Sequence, residues 1–264
     1  MKPDPIHHIA LVLVAAGTSQ AGTLLLSDNF DEAGGSYSSY TFNNGLAQTQ
    51  SGSLATITYT TIGNDWAVQH SNGGRILVAN GGNGTGGASL NHDFAADANA
   101  AGQALQISFT IGSVDSYADA SRWIHFNIAS QQNLAVADGN VGLGVYFRKS
   151  GEALLISGGS GLPVSATWSP DDAITITLSG TGGTGSAFNG NGSVATVSVG
   201  STNLGSFTLA QQSSAYLSFG AFSYSNDQFG VGTFDNLQVS LVPEPGTTVL
   251  GSLGLLGLFR RRRS

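Results

Sequence analysis

The sequence predicts an all-β chain folded as an antiparallel two-sheet β-sandwich, flanked by an apolar helical segment at each end. Three observations carry this expectation. Short runs of alternating or β-branched residues recur between positions 23 and 241, divided by clusters of Gly, Asn, Asp and Ser, which is the pattern of strands and turns. Glycine fills 38 of 264 positions without a three-residue period and charged residues only 9%, which excludes collagen and helical bundles. The hydrophobic fraction of 41% supports a packed core and excludes a disordered chain. With no cysteine there is no disulfide framework, thiolate zinc site or cysteine nucleophile.

In chain order, Met1-Lys2 precedes an apolar run, Ile9–Ala16, and then Ser19-Gln20-Ala21 with small residues at its first and third positions. That is the pattern of a secretory signal peptide over residues 1–21, with the mature chain starting near Gly22. The domain, residues 22–241, then offers fourteen candidate strands by alternation and flanking turn residues. They are Thr23–Phe30, Leu54–Thr61, Asp65–His70, Arg75–Asn80, Ala88–Phe94, Gln103–Gly112 and Arg122–Ser130, followed by Gly142–Lys149, Ala153–Ser157, Ala173–Ser179, Val194–Val199, Gly205–Leu209, Tyr216–Tyr224 and Thr233–Leu241. A dozen or so strands in one domain imply two stacked sheets. Ala95–Ala104 is alanine-rich without an apolar face and predicts one helical turn at most, while the glycine-rich stretches Gly81–Gly87 and Gly180–Gly192 predict loops.

The end of the chain, residues 242–264, has three parts: Val242-Pro243-Glu244-Pro245, an uncharged apolar run Gly246–Phe259, and Arg260-Arg261-Arg262-Arg263-Ser264. This tripartite tail resembles the PEP-CTERM sorting signal of exported bacterial proteins. The resemblance implies processing by an exosortase, a membrane-embedded transpeptidase-like enzyme, and transient anchoring in the inner membrane. The residues agree. Fourteen helical residues span about 21 Å, short of the ~30 Å hydrocarbon layer. The arginines stay cytoplasmic by the positive-inside rule, which puts the body outside. Pro243 and Pro245 keep Glu244 extended. Residues 22–242 hold 14 acids and 4 bases, a net charge of −10, so a nucleic-acid partner is excluded for want of a basic patch.

Asp28-Asn29-Phe30 opens the domain and Phe234-Asp235-Asn236-Leu237-Gln238-Val239 closes it. Together these resemble the terminal strands of concanavalin A-like lectin and glucanase sandwiches, which lie side by side. The resemblance implies a jelly roll and a leaning towards carbohydrate, and in such sandwiches a structural calcium often occupies this region. Asp28 and Asp235 would share that ion with backbone carbonyls. The alternative is that both carboxylates accept turn hydrogen bonds.

Catalysis is not expected. Glycoside hydrolysis needs paired carboxyl groups across the scissile bond, yet Glu32 and Glu152 are the only glutamates of the body and lie in no acid-x-acid strand. Asp115 with Asp119, and Asp171 with Asp172, fall in turn-like contexts. No Gly-x-Ser-x-Gly elbow surrounds a serine, and His70, His92 and His125 lie in no His-x-His or His-Glu-x-x-His spacing. A binding face is better supported. In Trp123–Ile128 the alternation puts Ile124, Phe126 and Ile128 on one face and Trp123, His125 and Asn127 on the other. In Val141–Arg148 it leaves Tyr146 and Arg148 opposite the core set. If these strands pair, an indole, a phenol, an imidazole, an amide and a guanidinium share a surface suited to a polysaccharide, the aromatics stacking on sugar rings and the polar groups meeting hydroxyls. The alternative is that a loop such as Gly180–Gly192 covers them and the aromatics extend the core.

The chain therefore reads as an exported, non-catalytic protein of the cell envelope, cell surface or extracellular matrix, sorted through its tail and holding polysaccharide. A secreted glycan-processing enzyme and a purely structural surface protein joined by edge strands are the alternatives.

Overall fold

The computed structural model describes residues 22–30, 50–54, 57–62, 68–71, 75–81, 84–114, 122–132, 141–180, 193–209, 213–223 and 229–243. The segment expected to be a signal peptide, the apolar run and the arginine cluster lie outside them. Among the described residues no helix is long and apolar enough to cross a membrane.

The described residues form sixteen strands and one helix, in order: β1 (Thr23–Asp28), β2 (Gln50–Ser51), β3 (Tyr59–Ile62), β4 (Val68–Ser71), β5 (Arg75–Gly81), β6 (Gly84–Leu90), α1 (Phe94–Ala101), β7 (Ala104–Val114) and β8 (Arg122–Ala129). Then come β9 (Val141–Phe147), β10 (Glu152–Ser157), β11 (Ser160–Thr167), β12 (Ala173–Gly180), β13 (Ser193–Val199), β14 (Thr202–Thr208), β15 (Tyr216–Ser223) and β16 (Phe229–Val242). They form two antiparallel sheets. The nine-stranded sheet runs β14-β13-β12-β7-β16-β1-β2, with β5 on β16 and β4 on β5; the seven-stranded sheet runs β11-β10-β9-β8-β15-β6-β3.

The 14-residue β16 organises the first sheet. It pairs with β7 along most of its length, with β5 through Phe229–Phe234 and with β1 through Leu237–Leu241. The first and last strands are thus neighbours, Thr23 opposite Leu241. A bulge between Asp235 and Gln238 interrupts the β7 pairing, with Asn236 at φ 52°, a conformation asparagine tolerates better than most residues.

Strict alternation supplies the core. On β12 the buried Ile174, Ile176 and Leu178 alternate with half-buried Thr175, Thr177 and Ser179. Between the sheets Phe109 packs on Phe126 at 4.5 Å between ring centroids, Phe219 on Phe234 at 4.9 Å and Phe126 on Phe219 at 5.2 Å, all in tilted geometries.

Several elements depart from the sequence expectation: Gln50–Ser51 forms the unexpected short strand β2, and of the described residues in the expected strand Leu54–Thr61 only those from Tyr59 are strand, as β3. Residues 94–101 form a two-turn helix, because Asp93 caps its start by accepting from Ala95 N–H at 3.0 Å and Gly102 ends it at φ 61°. Asp93 Oδ1 also accepts from Ala215 N–H at 2.7 Å, which ties the helix to the approach to β15. The second part of the glycine stretch, Gly84–Gly87, is strand β6, held by backbone pairing to β15. There the missing side chain is a requirement, since a Cβ at Gly87 would lie 2.1 Å from Phe219 O. Ser160–Thr167, which contains Pro163, is strand β11, and it sits at a sheet edge, where proline is tolerated. The expected loop at Gly180–Gly192 lies outside the described residues beyond Gly180.

Candidate functional site

The strands that carry Trp123, His125, Asn127 and Tyr146 do pair. His125 on β8 faces Tyr146 on β9, and Asn127 faces Gly144. On the other side β15 sets Phe222 opposite Trp123, Gly220 opposite His125 and Ser218 opposite Asn127. Because β8, β9 and β15 bury Ile124, Phe126, Val145, Phe147 and Phe219 in the core, the period-2 alternation sends this second set to the outer face of the seven-stranded sheet.

The set forms one connected group. The His125 and Tyr146 rings stack with centroids 5.2 Å apart, and Trp123 meets Tyr146 edge-on at 5.6 Å and stacks on Phe222 at 5.3 Å. Arg148, one residue past β9, places its guanidinium carbon 5.6 Å from the Trp123 ring centre, a cation–π contact. Arg148 also donates to Glu152 Oε2 at 2.7 Å. Two glycines leave room for the flat side chains. A Cβ at Gly144 would lie 2.5 Å from the Tyr146 ring and 2.7 Å from Asn127 Oδ1, and one at Gly220 would lie 2.5 Å from His125 Nε2.

Burial divides the group. His125 and Asn127 are 0% exposed and Tyr146 1%, whereas Trp123 is half-buried and the Arg148 and Glu152 side chains are 25% and 39% exposed. The deep end is therefore Asn127 and the outer rim is Trp123, Arg148 and Glu152; of the five groups expected to share an open surface only Trp123 and Arg148 reach solvent, and His125, Asn127 and Tyr146 are covered, as in the alternative. Neither amide atom of Asn127 has a hydrogen-bond partner among the described residues, and neither does Arg148 Nε. Leaving a buried polar group unsatisfied costs about 1–3 kcal/mol, so the deep end holds unused donor and acceptor capacity. Phe222, Ser218 and Glu152 were missed as members. The alternation Ser218-Phe-Gly220-Ala-Phe222 puts three residues of β15 on one face, a signal that matters once β15 is known to lie beside β8.

At the terminal strands Asp28 is fully buried. Its Oδ1 accepts from Phe30 N–H at 3.0 Å and its Oδ2 from the Tyr59 hydroxyl at 2.9 Å. Asp235, on the neighbouring strand, accepts from Asn236 N–H at 2.6 Å. Among the described residues no group of three or more His, Cys, Asp or Glu is placed to hold a metal.

The acids weighed for catalysis are dispersed. Asp172 Oδ2 accepts from Ser169 N–H at 2.7 Å, and Asp171 has φ 67° in the same turn. Glu152 is paired with Arg148, and His92 with Asp97 at 2.6 Å. Asp115, Asp119 and Glu32 lie outside the described residues, as does Trp66. Trp168, 8% exposed, packs edge-on against Phe147 at 6.1 Å and donates its indole N–H to Arg148 O at 3.0 Å, which makes it part of the core.

Comparison with known proteins bears on both the tail and the body. Residues 241–263 match the PEP-CTERM protein-sorting motif. No curated protein matches the chain. Among solved structures, endo-1,3-β-glucanase from Streptomyces sioyaensis superposes with TM-score 0.54 at 11% identity, covering 92% of this chain and all of that one. The carbohydrate recognition domain of Emp47p gives TM-score 0.48 at 13% identity over 84% of this chain and 97% of its own. That of Emp46p, in its metal-free form, gives 0.45 at 12% over 70% and 87%. At such identities the likeness is one of fold. The chain thus carries a PEP-CTERM sorting motif, the mark of an exported, membrane-associated cell-envelope protein, behind a two-sheet β-sandwich body that shares its fold with the glucanase.

Proposed function

We propose that this exported protein is handed to an exosortase through its tail and serves as a non-catalytic binder of neutral polysaccharide at the cell surface or in the extracellular matrix. The ligand meets the outer face of the seven-stranded sheet. The observation that carries the reading is the connected aromatic and polar group there, with an indole and a guanidinium at its rim and an uncommitted amide behind them. Trp123 offers a stacking surface, Arg148 and Glu152 offer a donor and an acceptor for hydroxyls, and their mutual pairing leaves the rim without net charge. A charged polymer gains nothing from such a rim. A neutral one does.

The enzyme reading has less support, since the described acids are engaged singly in turns, caps or ion pairs. Assembly through sheet edges is also weaker. Edge strand β11 carries Pro163, and edge strand β14 is bulged at Gly205, φ 99°, and both features blunt strand addition. A structural calcium at Asp28 and Asp235 would have to displace hydrogen bonds that Asp28 already accepts on both oxygens.

The test is retention on columns of neutral polysaccharides, with release of reducing ends followed in parallel. Trp123→Ala is expected to lose retention while keeping a cooperative melting transition, and no reducing ends are released. Equal retention by the variant discards the site, and sugar release by the parent protein discards the non-catalytic reading.

A further inference from the structure

The last strand and the sorting motif share residues. The motif match begins at residue 241, and Leu241 and Val242 are still in register within the nine-stranded sheet, opposite Leu105 and Ala104. Leu241 also faces Thr23. The chain therefore leaves the sheet at the end where β1 begins. Only Pro243, Glu244 and Pro245 separate β16 from the apolar run at Gly246. Even fully extended, that connection reaches about 10–14 Å. The headgroup layer it must cross is about 5–8 Å thick, half the difference between the whole bilayer and its hydrocarbon core. With the run inserted, little or no water gap remains beneath the domain.

The surface at this end suits such a position. Gly22, Thr23, Leu24, Gln103, Val242 and Pro243 lie there, and none has an ionisable side chain, in a body of net charge −10 that anionic headgroups would otherwise repel. Leu24, 39% exposed, is the one exposed large hydrophobic side chain among the described residues. It stands opposite Ser240 on the outer face of the sheet, on the same side as the half-buried Val242. A bilayer interface accepts such apolar groups readily.

We infer that this end of the sandwich is a membrane-contact surface: while the tail is inserted, the three-residue tether holds Thr23, Leu24 and Val242 against the lipid headgroups. The inference rests on the tail reading given above. It also implies that a processing enzyme must work in the narrow strip between a folded domain and the bilayer.

The native chain has no cysteine, so a single one can be placed as a probe site. Thr23→Cys lies at the contact end. Ser201→Cys lies on the β13–β14 hairpin at the other end of the sheet, about 20 Å away along the strands. Both positions are exposed, so the fold tolerates the change. Each full-length variant, carrying a fluorophore, is reconstituted into phosphatidylcholine/phosphatidylglycerol vesicles that contain headgroup-spin-labelled lipid. Quenching at position 23 is expected to exceed that at position 201 several-fold. Inserting ten Gly/Ser residues between Val242 and Pro243 should remove most of the difference. Equal quenching in a chain that floats with the vesicles overturns the contact surface and leaves the tail reading standing. A full-length chain that does not float with them overturns both. A difference that survives the insertion overturns the tether as its cause.

Discussion

Asp28 and Asn127 are both fully buried polar side chains, and the molecule treats them in opposite ways. Asp28, where the terminal strands meet, has a donor on each carboxylate oxygen, from Phe30 N–H and the Tyr59 hydroxyl. Asn127, on the outer face of the other sheet, has a partner for neither amide atom among the described residues. A buried group with its partners in place is a structural fastener. A buried group without them costs stability, and function is the usual reason for keeping it.

The largest effect expected from this contrast is at Tyr59. Tyr59→Phe removes a hydrogen bond to a buried carboxylate and should cost about 1.5–3 kcal/mol in denaturant unfolding, the range for bonds to charged groups. A loss below half a kilocalorie, on the order of an ordinary surface change, would remove Asp28 from the fasteners. Asn127→Leu should behave differently. It replaces an unsatisfied amide with an apolar group of similar volume, so stability should hold or rise slightly, while retention on polysaccharide falls. A strong destabilisation would place Asn127 with Asp28 as a structural group and break the contrast. The smallest effect is that of calcium. Since both Asp28 oxygens are in use, calcium or a chelator should move the melting temperature by less than the roughly 2 °C that one kcal/mol produces in a domain of this size. A larger rise with calcium would mean that the ion displaces the Tyr59 hydroxyl.

The sandwich was legible because its strands obey period 2. In Ala173–Ser179 and Val194–Val199 every second residue is buried, and the boundaries fall within a residue or so of those expected. What escaped were elements whose stability is not written in an apolar pattern. Helix α1 rests on Asp93 and Gly102 and on burial of Phe94, Ala95 and Ala98, with almost no amphipathic contrast. Strand β6 is glycine-rich because β15 approaches its backbone too closely for a side chain at Gly87. The site was half legible. Alternation grouped Trp123, His125 and Asn127, and separately Tyr146 and Arg148, and the pairing of β8 with β9 joined them. Their depth depends on β15, some ninety residues further along the chain, and no local pattern carries a contact of that separation.

One consequence follows from Thr23 standing opposite Leu241. Beyond its short pairing with β2, the first described strand finds its partner in the last described strand, so the nine-stranded sheet cannot close until β16 has been made. Pairings of such sequence separation are slow to form, so closure of this sheet is expected to be the late step of folding.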